Sequence, residues 1–129
     1  MHSSACLSSV QLGKTGEGLA VHALETAGME IIERNYRSKY GEIDIIALDA
    51  ETIVFVEVKA WSAFDLEDLG YGINIKKQRK IIKTAKYFLS INRKYSNMTI
   101  RFDVIFVKNG KAPVECQITH LASAFTESV

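Results

Sequence analysis

Apolar and polar positions along this chain switch between two repeats, and each switch marks an element. Leu19, Ala20, Ala23, Leu24 and Ala27 recur at helical spacing, which predicts a helix from about Gly16 to Ala27, capped by Thr15 and closed by Gly28. Residues 1 to 13 are polar and patternless and are expected to be a frayed start. From Glu30 the pattern turns strand-like: Glu30 to Tyr36, then Gly41 to Ala47, then Val54 to Lys59, rich in Ile, Val and Phe. The turn around Arg37 to Gly41 joins the first two strands, with Gly41 suited to a positive φ or a bulge. Asp49 to Thr52 is short and polar, so the second and third strands form a hairpin. Residues 60 to 73 read as a long loop. Asn74 then caps a helix to about Asn92, whose apolar stripe Ile81, Ile82, Ala85, Phe88 and Leu89 must face the sheet. Thr99 to Lys108 is a fourth strand, expected to run parallel to the Glu57 strand after a helical crossover. Asn109-Gly110 turns it into an edge strand from Val114 to Ile118, and Leu121 to Phe125 is expected to add a short terminal helix. The element order α-β-β-β-α-β-β predicts an α/β fold, a mixed five-stranded sheet with helices packed on it.

The totals fit this picture. At 129 residues and 47% hydrophobic, residues 1–129 make one domain with a sizeable core. No apolar run approaches the ~20 residues of a membrane helix, and the first residues lack the features of a secretory leader. Cys6 and Cys116 form no CxxC pair and suit a reducing cytoplasm, and His2, His22 and His120 are scattered without metal-ligand spacing. A cytoplasmic protein with no membrane attachment is the expectation.

Charge changes the picture more. The net charge of +1 conceals nine lysines and arginines, and no acid, between residues 69 and 102; the remainder holds the other seven bases and all fifteen acids. One pole can take a cation and the other a polyanion.

The hairpin carries the candidate chemistry. Strand side chains alternate, so Glu42 and Asp44 should share one face and Ile43, Ile45 and Ala47 the other; Phe55, Glu57 and Lys59 should share a face of the next strand. Neighbouring strands lie about 4.8 Å apart, so one register sets Asp44 beside Glu57, with Lys59 about 7 Å further along. Two such carboxylates repel and resist burial; a divalent cation resolves both problems. One or two Mg²⁺ or Mn²⁺ ions can activate water and stabilise charge at a phosphodiester, and a nearby ammonium can assist. The bare pattern D-x(12)-E-x-K also fits a surface charge ladder. Glu17, in the first turn of the first helix, is either an acid favouring the helix dipole or a further site carboxylate. Gln78 interrupts the apolar stripe of the main helix: its amide either bonds a loop carbonyl or points at the carboxylates or a substrate. Lys76, Lys77, Arg79, Lys80 and Lys83 are phosphate-contact candidates, or an ordinary solvated face.

The blocks Arg34-Asn35-Tyr36-Arg37, Gly41-Glu42-Ile43-Asp44-Ile45-Ile46-Ala47, Val54-Phe55-Val56-Glu57-Val58-Lys59 and Arg101-Phe102-Asp103-Val104 resemble, in this order, the uncharacterised YraN-type family. That family is grouped with Holliday-junction-resolvase-like nucleases of the PD-(D/E)xK, restriction-endonuclease-like class. The resemblance runs from about Gly16 to the last strand. It implies a restriction-endonuclease-like core with Asp44 and Glu57 as Mg²⁺ or Mn²⁺ ligands, joined by the carbonyl between Glu57 and Lys59, and with Lys59 as the catalytic ammonium. An early acid of the first helix completes the site in archaeal resolvases, and Glu17 matches that position. Two departures stand out: Ile43, not proline, precedes Asp44, and Ala60-Trp61 replaces the Thr-Arg pair common after the lysine, removing a potential phosphate contact. The implied activity is endonucleolytic, on branched or nicked DNA, with a homodimer if junctions are resolved symmetrically. A non-catalytic nucleic-acid-binding or protein-interaction module on the same fold is the alternative.

Overall fold

The computed structural model describes residues 16–61, 74–108 and 117–127. Helix α1 spans Gly16–Thr26, strand β1 Glu30–Ser38, β2 Gly41–Asp49, β3 Thr52–Trp61, helix α2 Ile75–Ile91, β4 Thr99–Lys108 and β5 Gln117–Phe125, with a 3₁₀ turn at Arg93–Tyr95. The expected Thr15 cap, the Asn109-Gly110 turn, the start of the edge strand at Val114 and the loop beyond Trp61 lie outside the described residues.

The five strands form one sheet in the order β1-β2-β3-β4-β5. β1/β2, β2/β3 and β4/β5 are antiparallel, and β3/β4, bridged by α2, is parallel. Among the described residues, one helix packs on each face of the sheet. On one face Ile81, Ile82, Ala85 and Phe88 of α2 cover Ile46, Ile53, Phe55, Phe102, Phe106 and Phe125. Phe88 meets Tyr36 edge-on at 5.1 Å and Phe55 at 6.1 Å. On the other face Leu19, Ala20 and Leu24 of α1 cover Ile45, Ala47, Val54, Val56, Ile105 and Val107. A Cβ on Gly16 would lie 3.1 Å from the Val107 Cβ, so the missing side chain lets the first turn of α1 press onto β4. Gly28 closes α1 with φ +95, as a C-terminal glycine should. Among the described residues no helix is long and apolar enough to cross a membrane.

Two expectations are corrected. Leu121–Phe125 is not a helix but the second half of β5, paired Val104↔Leu121 and Phe102↔Phe125. A run this short carries no decisive period, and the open edge of β4 supplies a pairing partner that local preference cannot foresee. Ile43 also leaves its expected face. It packs with Ile46 beneath α2, while Ile45 and Ala47 face α1. Residues three apart cannot share a face of a regular strand, so β2 breaks its alternation around Asp44. The opposing β1 residue, Asn35, lies between the pairs Arg34↔Ile45 and Tyr36↔Ile43 and has φ +53.

Candidate active site

β2 and β3 pair from Asp49↔Thr52 to Ile45↔Val56. Beyond that point β2 continues only with β1, to Ser38↔Gly41, and β3 continues only with β4, to Trp61↔Lys108. The strands separate at Asp44 and Glu57, and the notch between them is the candidate site. Asp44 Oδ2 accepts the Val58 N–H at 2.8 Å, replacing a ladder bond with a side-chain bond. The carboxyl groups of Asp44 and Glu57 lie close enough to shift each other's pKa.

Neither carboxyl is in an ordinary environment. Burial, then the charge of Asp44, push Glu57 up to about 7, against the pull of Lys77. Asp44 is also raised, by burial first; the Val58 N–H and the Glu57 hydrogen bond oppose this, and the charge of Glu17 adds to it. Both carboxyls are raised chiefly by burial, so the pair holds a proton to higher pH than two free carboxyls would.

The ammonium facing the pair comes from α2. Lys77 Nζ lies 3.1 Å from Glu57 Oε2, and the Glu57 side chain is only 13% exposed. Burial pulls Lys77 down, but Glu57 and then Asp44 outweigh it and hold it above its usual value. Asn74 fixes this first turn by accepting the Lys77 N–H on Oδ1 at 2.8 Å. Sequence reasoning placed Lys77 among the phosphate contacts; the signal it offered was its place in the first turn after a capping Asn.

The remaining candidates are distributed around the notch. Glu17, 16% exposed, receives Arg34 Nη2 at 3.2 Å and Asn35 Nδ2 at 3.1 Å. It sits near enough to raise Asp44, but its carboxylate is held by the irregular part of β1. Lys59, two residues beyond Glu57, is exposed and forms no ion pair with a described residue. Gln78 is half-buried in the first turn of α2, its N–H donating to the Asn74 carbonyl at 3.0 Å. Lys76, Arg79, Lys80 and Lys83 are exposed along the same helix.

A second polar cluster was not anticipated. Asp103, fully buried, accepts Arg101 Nε at 2.9 Å and Nη2 at 3.0 Å, the Ser123 N–H at 3.0 Å, and contacts His120 Nε2 at 2.7 Å. Arg101 also reaches Asp49 at 3.2 Å. The visible sign was Arg101 and Asp103 two apart on a strand; His120 lies on a different strand.

The donor set can be judged against a divalent cation. Asp44 and Glu57 offer hard oxygens in a place where burial penalises charge. Mg²⁺ and Mn²⁺ favour such oxygens and keep several waters, so two carboxylates and a carbonyl suffice. These two residues fit. Among the described residues no group of three or more His, Cys, Asp or Glu side chains is arranged to hold a metal, so Glu17 as it stands does not close a cage.

Comparison with known sequences adds kinship. The family described as "Uncharacterised protein family UPF0102" matches residues 16–107. A UPF0102 protein of Treponema denticola is 46% identical across 88% of this chain and 94% of its own. Its counterpart in Treponema pallidum (strain Nichols) is 44% identical, covering 92% and 94%. One from Persephonella marina is 44% identical, covering 88% and 91%. The matched span runs from α1 through β4 and contains every residue of the notch.

Proposed function

Because the chain belongs to the uncharacterised family UPF0102, whose name carries no activity, we propose from the chemistry of its notch that it is a Mg²⁺- or Mn²⁺-dependent endonuclease acting on branched or otherwise structured DNA. One observation carries the reading: two half-buried carboxyls, one from each of two separating strands, stand beside a lysine. A bound cation of this kind supplies a water of lowered pKa and an electrostatic partner for the phosphoryl oxygens. Asp44 and Glu57 would hold it, with the Val58 carbonyl implied by the resemblance as a third donor. The Val58 N–H fixes one oxygen of Asp44 and makes no bond to the other. Lys77 favours the ionised form of Glu57 and restrains its carboxylate. Lys59, at the open end of β3, is the ammonium assigned to the developing negative charge. Lys76, Arg79, Lys80 and Lys83 would take phosphates of the flanking DNA, and a homodimer would bring two notches to one junction.

The alternative, a non-catalytic module, is favoured by one contact: the Lys77–Glu57 ion pair already balances a charge in the site. Calorimetry with Mn²⁺ on the wild type and Asp44→Asn, with nicking assays on four-way junctions, flaps and single strands, separates the readings. Expected are Mn²⁺ binding that Asp44→Asn abolishes, and cleavage reduced about 10²-fold or more in Asp44→Asn and in Lys59→Ala. Mn²⁺ binding untouched by Asp44→Asn would discard the site. Binding without cleavage of any substrate would favour the non-catalytic module.

A further inference from the structure

Among the described residues, Tyr40 and Tyr87 are the exposed aromatic side chains, 39% and 38% exposed, and they contact each other. Their ring centroids are 5.8 Å apart with planes tilted by 58°. The tip of the β1–β2 hairpin is held for this contact. Ser38 Oγ accepts the Tyr40 N–H at 3.0 Å. Gly41, at φ +147, brings the hairpin so close to α2 that an added Cβ would lie 3.3 Å from Thr84 Oγ1 and 3.6 Å from Lys80 Cβ. Lys39 Nζ stands 5.3 Å from the centre of the Tyr40 ring.

The helix beneath connects this pair to the notch. Lys76, Lys80, Lys83 and Tyr87 follow one another at intervals of four, three and four, so they form one exposed stripe along α2. From Lys77 at the carboxylates to Tyr87 the helix rises about 15 Å, the axial length of about four stacked nucleotides. The helix contains no acid. Buried interfaces between proteins are depleted of lysine; a polyanion with flat faces to stack suits such a run. We infer that Tyr40 and Tyr87 form a stacking platform for an unpaired base, reached by a strand whose phosphates follow Lys83, Lys80 and Lys76 toward the notch. The inference rests on the nucleic-acid part of the reading above and deepens it: the substrate presents a single-stranded segment a few nucleotides from the scissile bond. Single-strand binders combine basic tracks and aromatic platforms in this way, with little sequence preference. A deoxyribose and a ribose strand share the required chemistry.

The test is fluorescence anisotropy with the full chain in EDTA, which keeps metal-dependent cleavage out of the measurement. The probes are labelled dT20, rU20, and a 20-mer of abasic sites with the same phosphates. Tighter binding of dT20 or rU20 than of the abasic strand, by about tenfold, is expected, and the tighter of the two names the sugar. Tyr40→Ala/Tyr87→Ala should lose that difference, whereas Tyr40→Phe/Tyr87→Phe, which keeps both rings, should retain it. Equal binding of base-bearing and abasic strands by the wild type overturns the inference without any variant, as does an alanine variant, folded by circular dichroism, that keeps the preference. Failure here leaves Mn²⁺-dependent cleavage untouched as a separate outcome. Absence of cleavage with the base preference intact refutes the nuclease reading and keeps the platform.

Discussion

Glu57 shows how one side chain can record an unmet demand for charge. Its carboxyl is pushed up to about 7 from an ordinary 4.5 because burial and Asp44 both disfavour the ionised form. The folded chain therefore holds this proton more tightly than the unfolded chain. The resulting stability is complete below about 4.5 and is lost as pH rises through about 7. Asp44, also raised, acts in the same direction. A shift of this size corresponds to a loss on the order of 3 kcal/mol. In EDTA, urea unfolding of the wild type should report lower stability at about pH 8 than at about pH 5, and Glu57→Gln should remove most of the difference. Equal pH slopes in the two proteins would mean that Glu57 is not the group whose proton the fold retains. Mn²⁺ should restore stability selectively at the higher pH, because it replaces a proton that has already left.

The elements differ in how visibly they announce themselves. The β2–β3 hairpin was legible because the short turn at Ala50 and Glu51 leaves Asp49 opposite Thr52, and that register brings Asp44 toward Glu57. α2 was legible from its cap and stripe, since Asn74 and Ile81, Ile82, Ala85 and Phe88 act where they were expected. What was hidden depends on how elements sit against each other. Lys77 reaches Glu57 because of the angle at which α2 crosses the sheet, and no spacing within α2 encodes that angle. Glu17 meets Arg34 and Asn35 only because β1 is irregular there. β5 was misread in part because its anchor lies elsewhere: Asp103, at the β4–β5 register shift, holds His120 and the Ser123 N–H together with Arg101. Burial alone would raise Asp103, but His120, Arg101 and the Ser123 N–H outweigh it and keep the carboxyl below its usual value. Its stabilisation is therefore present above the ordinary 3.8 and lost in more acidic solution, outside the window in which Glu57 acts. Asp103→Ala should cost about 3–5 kcal/mol by urea unfolding, as expected for a buried ionic network deprived of its centre. Amide exchange should accelerate selectively in β5. A loss under about 1 kcal/mol would show that the cluster is incidental to the pairing of β4 with β5.

Across the whole molecule the charges are divided so that attraction and repulsion meet at one place. The nine bases between residues 69 and 102 lie mostly on and just after α2, while Glu57 meets Lys77 of its first turn, Asp44 lies beside Glu57, and Glu17 is near enough to Asp44 to raise it. A DNA strand drawn along the lysines is brought toward carboxylates that repel its phosphates. Like charges a few ångströms apart near a protein surface cost on the order of 1 kcal/mol or more, about fivefold in affinity. A dication in the notch reverses the sign of that contact, coupling metal and DNA binding through a shared charge. This predicts an inversion that ordinary loss of function does not give. In EDTA, Asp44→Asn should bind a DNA junction about fivefold more tightly than the wild type, because a repelling charge is gone. In Ca²⁺, whose hard-oxygen preference resembles that of Mg²⁺, the wild type should gain affinity and the variant should gain little, so their order reverses. Anisotropy titrations at one fixed ionic strength decide the matter, since salt alone changes DNA affinity steeply. If Asp44→Asn binds DNA no better than the wild type in EDTA and both respond equally to Ca²⁺, the notch does not face the phosphate path, and the two charge poles serve separate ends.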